Sequence, residues 1–145
     1  MRHRCLAQAA ERTHVLVFET DDEILPLLEA FAADNAIGAA RLTAIGALRR
    51  VTLGYFDWDA KEYTKIPIEE QVEVVSLVGD IARKNGAPAI HAHLVVGKRD
   101  GSAHGGHLLA ATVRPTLELV LVESPTYLRR RYDEESGLAL IDPDV

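Results

Sequence analysis

Cysteine is nearly absent. Cys5 stands alone, so no disulfide can close within the chain and one copy cannot build a thiolate cage for zinc. Long apolar runs are missing too: nothing approaches the roughly 20 apolar residues that a membrane-spanning helix needs. The opening Met1-Arg2-His3-Arg4-Cys5 leads into no apolar core with a cleavage site of the kind an export signal carries. A cytoplasmic protein without membrane contact is the expectation. Basic clustering is scarce as well. The net charge is −6, and the cations are scattered apart from Arg49-Arg50 and Arg129-Arg130-Arg131. Phosphate neutralisation dominates nucleic-acid affinity, so a DNA interface of domain-wide extent is disfavoured. The arginine triplet is followed by Asp133, Glu134 and Glu135, which reads as a solvated face of mixed charge.

What remains is an ordinary globular composition. With 145 residues, 48% hydrophobic and 26% charged, the chain is long enough for one domain with a substantial core. Residues 1–12 are polar and alanine-rich without a period and read as a leader; residues 13–145 read as a single domain. His14 to Glu19 has the β-branched and aromatic content of a strand. Thr20, Asp21 and Asp22 offer N-cap chemistry, and Ile24, Leu27, Leu28 and Phe31 fall at helical spacing through Asp34, with Pro26 in the first turn. This helix is expected to cover a sheet.

Further strands are read at Ala40–Ile45, ending at Gly46, then at Arg50–Asp57, at Tyr63–Ile66 before Pro67, and at Gln71–Gly79. Asp80–Pro88 reads as a polar loop. Leu117–Val122 is an apolar run of the kind usually covered on both faces, interrupted upstream by Thr112, Arg114 and Pro115. Leu138–Ile141 supplies a last strand. Two carboxylates fall within such strands, Glu73 and Glu118, and are the weak candidates for acid/base chemistry.

Chemistry is concentrated between His91 and Leu109, a stretch holding four of the six histidines and four of the ten glycines. His91 and His93 open a run of β-formers and, two apart on a strand, project to the same face. Lys98 to Ser102 reads as a hairpin tip with Asp100-Gly101 in the turn. That places His107 on the returning strand opposite the first pair, beside Gly105 and Gly106, which allow close backbone approach at a ligand pocket. Three neutral imidazoles with an open fourth position are the donor set of a zinc site. His104 is the alternative third ligand. Equally, such histidines can be held by backbone carbonyls and bind nothing.

The order of strand, single helix, Glu73-Val74-Val75-Ser76-Leu77-Val78-Gly79, His91-Ala92-His93, Asp100-Gly101 and Gly105-Gly106-His107-Leu108-Leu109 resembles the PPC domain of plants and prokaryotes. The resemblance runs from about Val15 to Val122 and implies an α+β fold: a mainly antiparallel sheet with one flanking amphipathic helix, assembled as a homotrimer. Plant members grip DNA through AT-hooks, and prokaryotic relatives often carry a DNA-binding label by that association. This chain has no Arg-Gly-Arg-Pro hook, although a trimer could gather Arg49, Arg50 and the Arg129 triplet on one face. The histidine pattern is also similar to that of α-acetolactate decarboxylase, a distant fold relative. That likeness implies zinc ligands at His91, His93 and His107, without secure counterparts for that enzyme's catalytic groups. Two readings follow: a homotrimeric, regulatory binding module holding zinc or a small ligand, and a zinc-dependent lyase or hydrolase acting on a small carbonyl or carboxylate compound.

Overall fold

The computed structural model describes residues 2–5, 11–124 and 128–142. Parts of the expected leader, the side chain of Cys5, Tyr127 and the end of the tail lie outside the described residues. Among the described residues, nine strands and one helix follow in the order β1 (Arg2–Cys5), β2 (Arg12–Glu19), α1 (Ile24–Asp34), β3 (Ala39–Asp57), β4 (Glu62–Ile68), β5 (Val72–Lys84), β6 (Ala87–Gly97), β7 (Ala103–Glu123), β8 (Arg129–Asp133) and β9 (Leu138–Asp142). The pairings are antiparallel apart from a parallel bridge between β5 and β8. They close on themselves, β3 with β5, β5 with β6, β6 with β7 and β7 with β3. This is the α+β arrangement expected. No helix among the described residues is long and apolar enough to cross a membrane.

Period-two alternation sets what lies inside. Leu16 and Phe18 of β2, Leu42 and Leu48 of β3, Leu94 and Val96 of β6, and Leu117, Leu119 and Leu121 of β7 are buried, and Ile24, Leu28 and Phe31 of α1 pack onto them. Burying such side chains is worth about 1.5–3 kcal/mol each. The helix therefore covers the sheet, as its stripe implies. Its N-cap is Glu23, which makes no side-chain capping bond. The expected capping group acts elsewhere: the Asp22 carboxylate accepts the Glu19 N–H at 2.9 Å and shapes the strand-to-helix turn.

The strands are longer than the sequence suggested. Gly46 does not end a strand. It sits at φ +147° within β3, where a Cβ would lie 2.4 Å from the Thr116 carbonyl oxygen, so glycine lets the strand bulge and continue. Arg114-Pro115 likewise falls within β7, where the β3 register jumps from Gly46–Leu117 to Leu48–Val113, and no ladder N–H is demanded of the proline on that side. Pro67 is accommodated because β4 pairs only with β3 and is an edge. Asp80–Pro88 is not a loop: β5 runs to Lys84, Asn85 and Gly86 form a two-residue turn with φ +53° and +84°, and β6 begins at Ala87.

One face of the sheet stays open. Ile45 is 61% exposed, and Val75, Val78 and Val120 share that outer surface. Glu118 also points outward, so Leu117–Val122 is covered on one face only and Glu118 is not a buried carboxylate. The bulge between Val74 and Ser76 turns Glu73 and Ser76, whose odd spacing on a regular strand would set them on opposite faces, to solvent alike.

Candidate metal centre

The hairpin β6–β7 carries the site. Ala92, Leu94 and Val96 face the core, so His91 and His93 face outward. Lys98 N–H donates to the Ser102 carbonyl at 2.8 Å and closes the turn at Asp100-Gly101. The register that follows pairs His93 with His107. The ligand-capable nitrogens of His91, His93 and His107 all lie within 4.8 Å of one another, and each pair of ring centroids is 5.1–5.2 Å apart.

Glycine makes this approach feasible. Gly79 of β5 pairs with Ala92, and a Cβ there would meet the His91 carbonyl oxygen at 2.4 Å. Gly106 lies against the Gly54 carbonyl, which a Cβ would approach to 2.9 Å; Gly105 has only ordinary contacts with Val95 and Leu94. Tyr63 of β4 stacks on the His107 ring with centroids 4.6 Å apart and planes 22° apart, which fixes that imidazole's orientation.

The residues fit a metal ion. His91 Nε2 and His93 Nε2 are 3.2 Å apart, close to the roughly 3.3 Å between two nitrogens that each stand 2.0–2.1 Å from a tetrahedral zinc. His107 Nδ1 is buried and has no hydrogen-bond partner, a costly state for a polar atom that a cation would relieve. Burial first, and then the neighbouring His91 and His93, pushes the His107 pKa down to about 4. His93 is lowered in the same way, by burial and by His91. Both rings are thus held neutral at physiological pH, the ligating form.

Behind the triad stands a pair that sequence reading missed. Asp80 faces His91 across the β5–β6 ladder, its Oδ2 3.7 Å from His91 Nδ1, a charge contact rather than a hydrogen bond. Its other oxygen accepts from the Arg130 guanidinium. Burial raises the Asp80 pKa, but His91 and Arg130 outweigh it and the net shift is downward. Arg130 is only 8% exposed and also donates to the Ala139 carbonyl at 3.1 Å. The arginine triplet is therefore not one solvated face.

The remaining candidates lie elsewhere. His104 is exposed, paired with Val96, and stands outside the cluster. Glu73 lines a depression with Lys98 and Arg99, and Glu118 lines another with Ile45, Val75 and Val120. Neither cavity includes a histidine. Of the other four arginines offered for DNA contact, three face acids, Arg49 with Asp21 at 2.7 Å, Arg50 with Glu23 at 3.6 Å and Arg131 with Asp142 at 2.9 Å, while Arg129 is exposed.

Fold and site together define a small β-rich domain that presents three imidazoles on the outside of a closed sheet. Residues 6–125 match the Plants and Prokaryotes Conserved (PCC) domain, and the chain belongs to that family. Among solved structures it is similar to a plant- and prokaryote-conserved protein of Pyrococcus horikoshii, at 32% identity over 90% of this chain and 91% of that one, TM-score 0.85. A metal-containing protein of Archaeoglobus fulgidus is 32% identical over 97% and 98% of the two chains, TM-score 0.84. A "putative DNA binding protein" of Bacteroides thetaiotaomicron is 28% identical over 99% of both, TM-score 0.88. A Staphylococcus aureus protein similar to α-acetolactate decarboxylase shares the fold alone, at 12% identity over 75% of this chain and 50% of that one, TM-score 0.55. A curated relative, the bifunctional protein GlmU of a Synechococcus strain, is 31% identical over 76% of this chain, which spans 17% of that protein's length.

Proposed function

We propose that this chain is a metal-binding module that holds one divalent cation, zinc by its donor set, through His91, His93 and His107. The carrying observation is the convergence of three outward imidazoles on one point, behind which a half-buried carboxylate, that of Asp80, is aimed at one of them. Such outer carboxylates orient metal-ligating histidines and raise their basicity. Bound zinc would supply a Lewis-acid centre that retains or polarises a small oxygen ligand. The metal-containing relative from Archaeoglobus fulgidus supports this reading.

The module reading is preferred to the enzyme because neither Glu73 nor Glu118 shares a cavity with the triad. It is preferred to DNA binding because net charge is −6 and Arg49, Arg50, Arg130 and Arg131 each face a carboxylate. Assembly as a homotrimer would cover the apolar outer face of Ile45, Val75, Val78 and Val120. That face borders the site, since Val78 is the register partner of His93.

The deciding experiment is elemental analysis per subunit on protein purified without an affinity tag or chelator. Near-stoichiometric zinc in the wild type, absent in His93→Ala, is the expected result. Protein that holds no metal and takes up none from added zinc would overturn the reading.

A further inference from the structure

A cavity of about 200 Å³ opens beside the triad, and His91 and His107 form part of its wall. It is smaller than the roughly 300–1,000 Å³ of sites for drug-sized ligands. A nucleotide or a peptide side chain with its backbone is too large for it, while a short organic molecule is not.

Its lining divides into two halves. Ile90, Leu138 and Leu140 give an apolar wall, contributed by β6 and by the C-terminal strand β9. The polar half holds Lys84, Arg130 and Tyr63, and no Asp or Glu side chain lines the cavity among the described residues. Arg130 is already committed to Asp80 and to the Ala139 carbonyl. Lys84, by contrast, has no carboxylate partner among the described residues and lines the cavity as an exposed residue. The uncompensated charge at this cavity is therefore positive, and a cation in the triad would add to it. A compact apolar recess under a positive rim complements a carboxylate on a short hydrocarbon stem.

We infer that this cavity is a subsite for a small aliphatic monocarboxylate, with Lys84 pairing the carboxylate and Ile90, Leu138 and Leu140 receiving the stem. The inference rests on the metal reading for part of its charge, but not for Lys84 or the apolar wall.

The test is a calorimetric titration of the full chain, loaded with zinc, using isobutyrate and its neutral isostere isobutyramide as probes. Zinc content per subunit is measured in every sample. Isobutyrate is expected to bind about tenfold more tightly than the amide, the worth of one charge-assisted contact, and Lys84→Gln is expected to erase that preference. Equal binding of acid and amide overturns the inference. A preference that survives Lys84→Gln also overturns it, because the carboxylate is then held by another group. Should no zinc be retained, the metal reading fails, and the same titration on the metal-free chain decides the subsite: a preference abolished by Lys84→Gln sustains it, and no preference overturns it.

Discussion

Asp80 and His91 are register partners on β5 and β6, and the Asp80 carboxylate points at the imidazole nitrogen that faces away from the triad. One side of the ring is thus held by protein charge while its Nε2 faces His93 Nε2 at 3.2 Å. Replacing the carboxylate by an amide keeps the shape and removes the charge. Asp80→Asn is expected to weaken zinc binding by about 10–100-fold, the usual loss when the partner of a ligating histidine is removed. Competition against a chromophoric chelator measures it. Unchanged affinity would show that Asp80 serves only Arg130.

Metal binding should also appear as stability. A ligand that binds only the folded state at a free concentration 100 times its Kd contributes about 2.7 kcal/mol. For a chain of this size that corresponds to a rise in Tm of roughly 5–10 °C. Zinc is expected to raise the melting temperature of the wild type and to leave His107→Gln where it was. An equal rise in both would place the stabilising ion elsewhere.

The histidine hairpin was legible because every signal in it is local. His91 and His93 are two apart, Asp100-Gly101 sets the turn, and the pairing of His93 with His107 follows from the length of the loop. The helix was legible from its stripe. Strand ends were not, because Gly46, Pro67 and Pro115 act as breakers only where the ladder needs what they lack, and here two sit at register jumps and one on an edge. Asn85-Gly86 was a strong hairpin signal, obscured by the polar residues around it. Asp80 and Arg130 were beyond reach for another reason: they stand 50 residues apart in sequence, and only the return of β8 to β5 brings them together.

Gly79 tests how closely the two strands must approach. A methyl group there would sit 2.4 Å from the His91 carbonyl oxygen and 2.9 Å from the Ala92 Cα, both backbone atoms that cannot rotate away. Gly79→Ala is therefore expected to cost about 1–3 kcal/mol, the range for overpacked positions, and to weaken zinc binding because β6 carries His91 and His93. Denaturant unfolding and the chelator competition read the two effects separately. Loss of stability with unchanged metal affinity would mean that the hairpin moves as a rigid unit.

The outer face calls for a change that leaves the core alone. Val120 is 41% exposed while its neighbours Leu119 and Leu121 are fully buried, so a charge at Val120 points into solvent in the isolated chain and costs little there. In an assembly that covers Ile45, Val75 and Val120 the same charge would be buried without a partner, which costs several kcal/mol per copy. Val120→Glu is accordingly expected to yield monomers by light scattering where the proposed homotrimer is expected of the wild type, with an unchanged far-ultraviolet circular dichroism spectrum. If the variant assembles like the wild type, the subunits meet through another surface, and the exposed valines and isoleucine of this face need a different occupant. Because Val78 pairs with His93, the monomeric variant also reveals whether the triad needs its neighbours: zinc retained at full stoichiometry would locate the whole site within one chain.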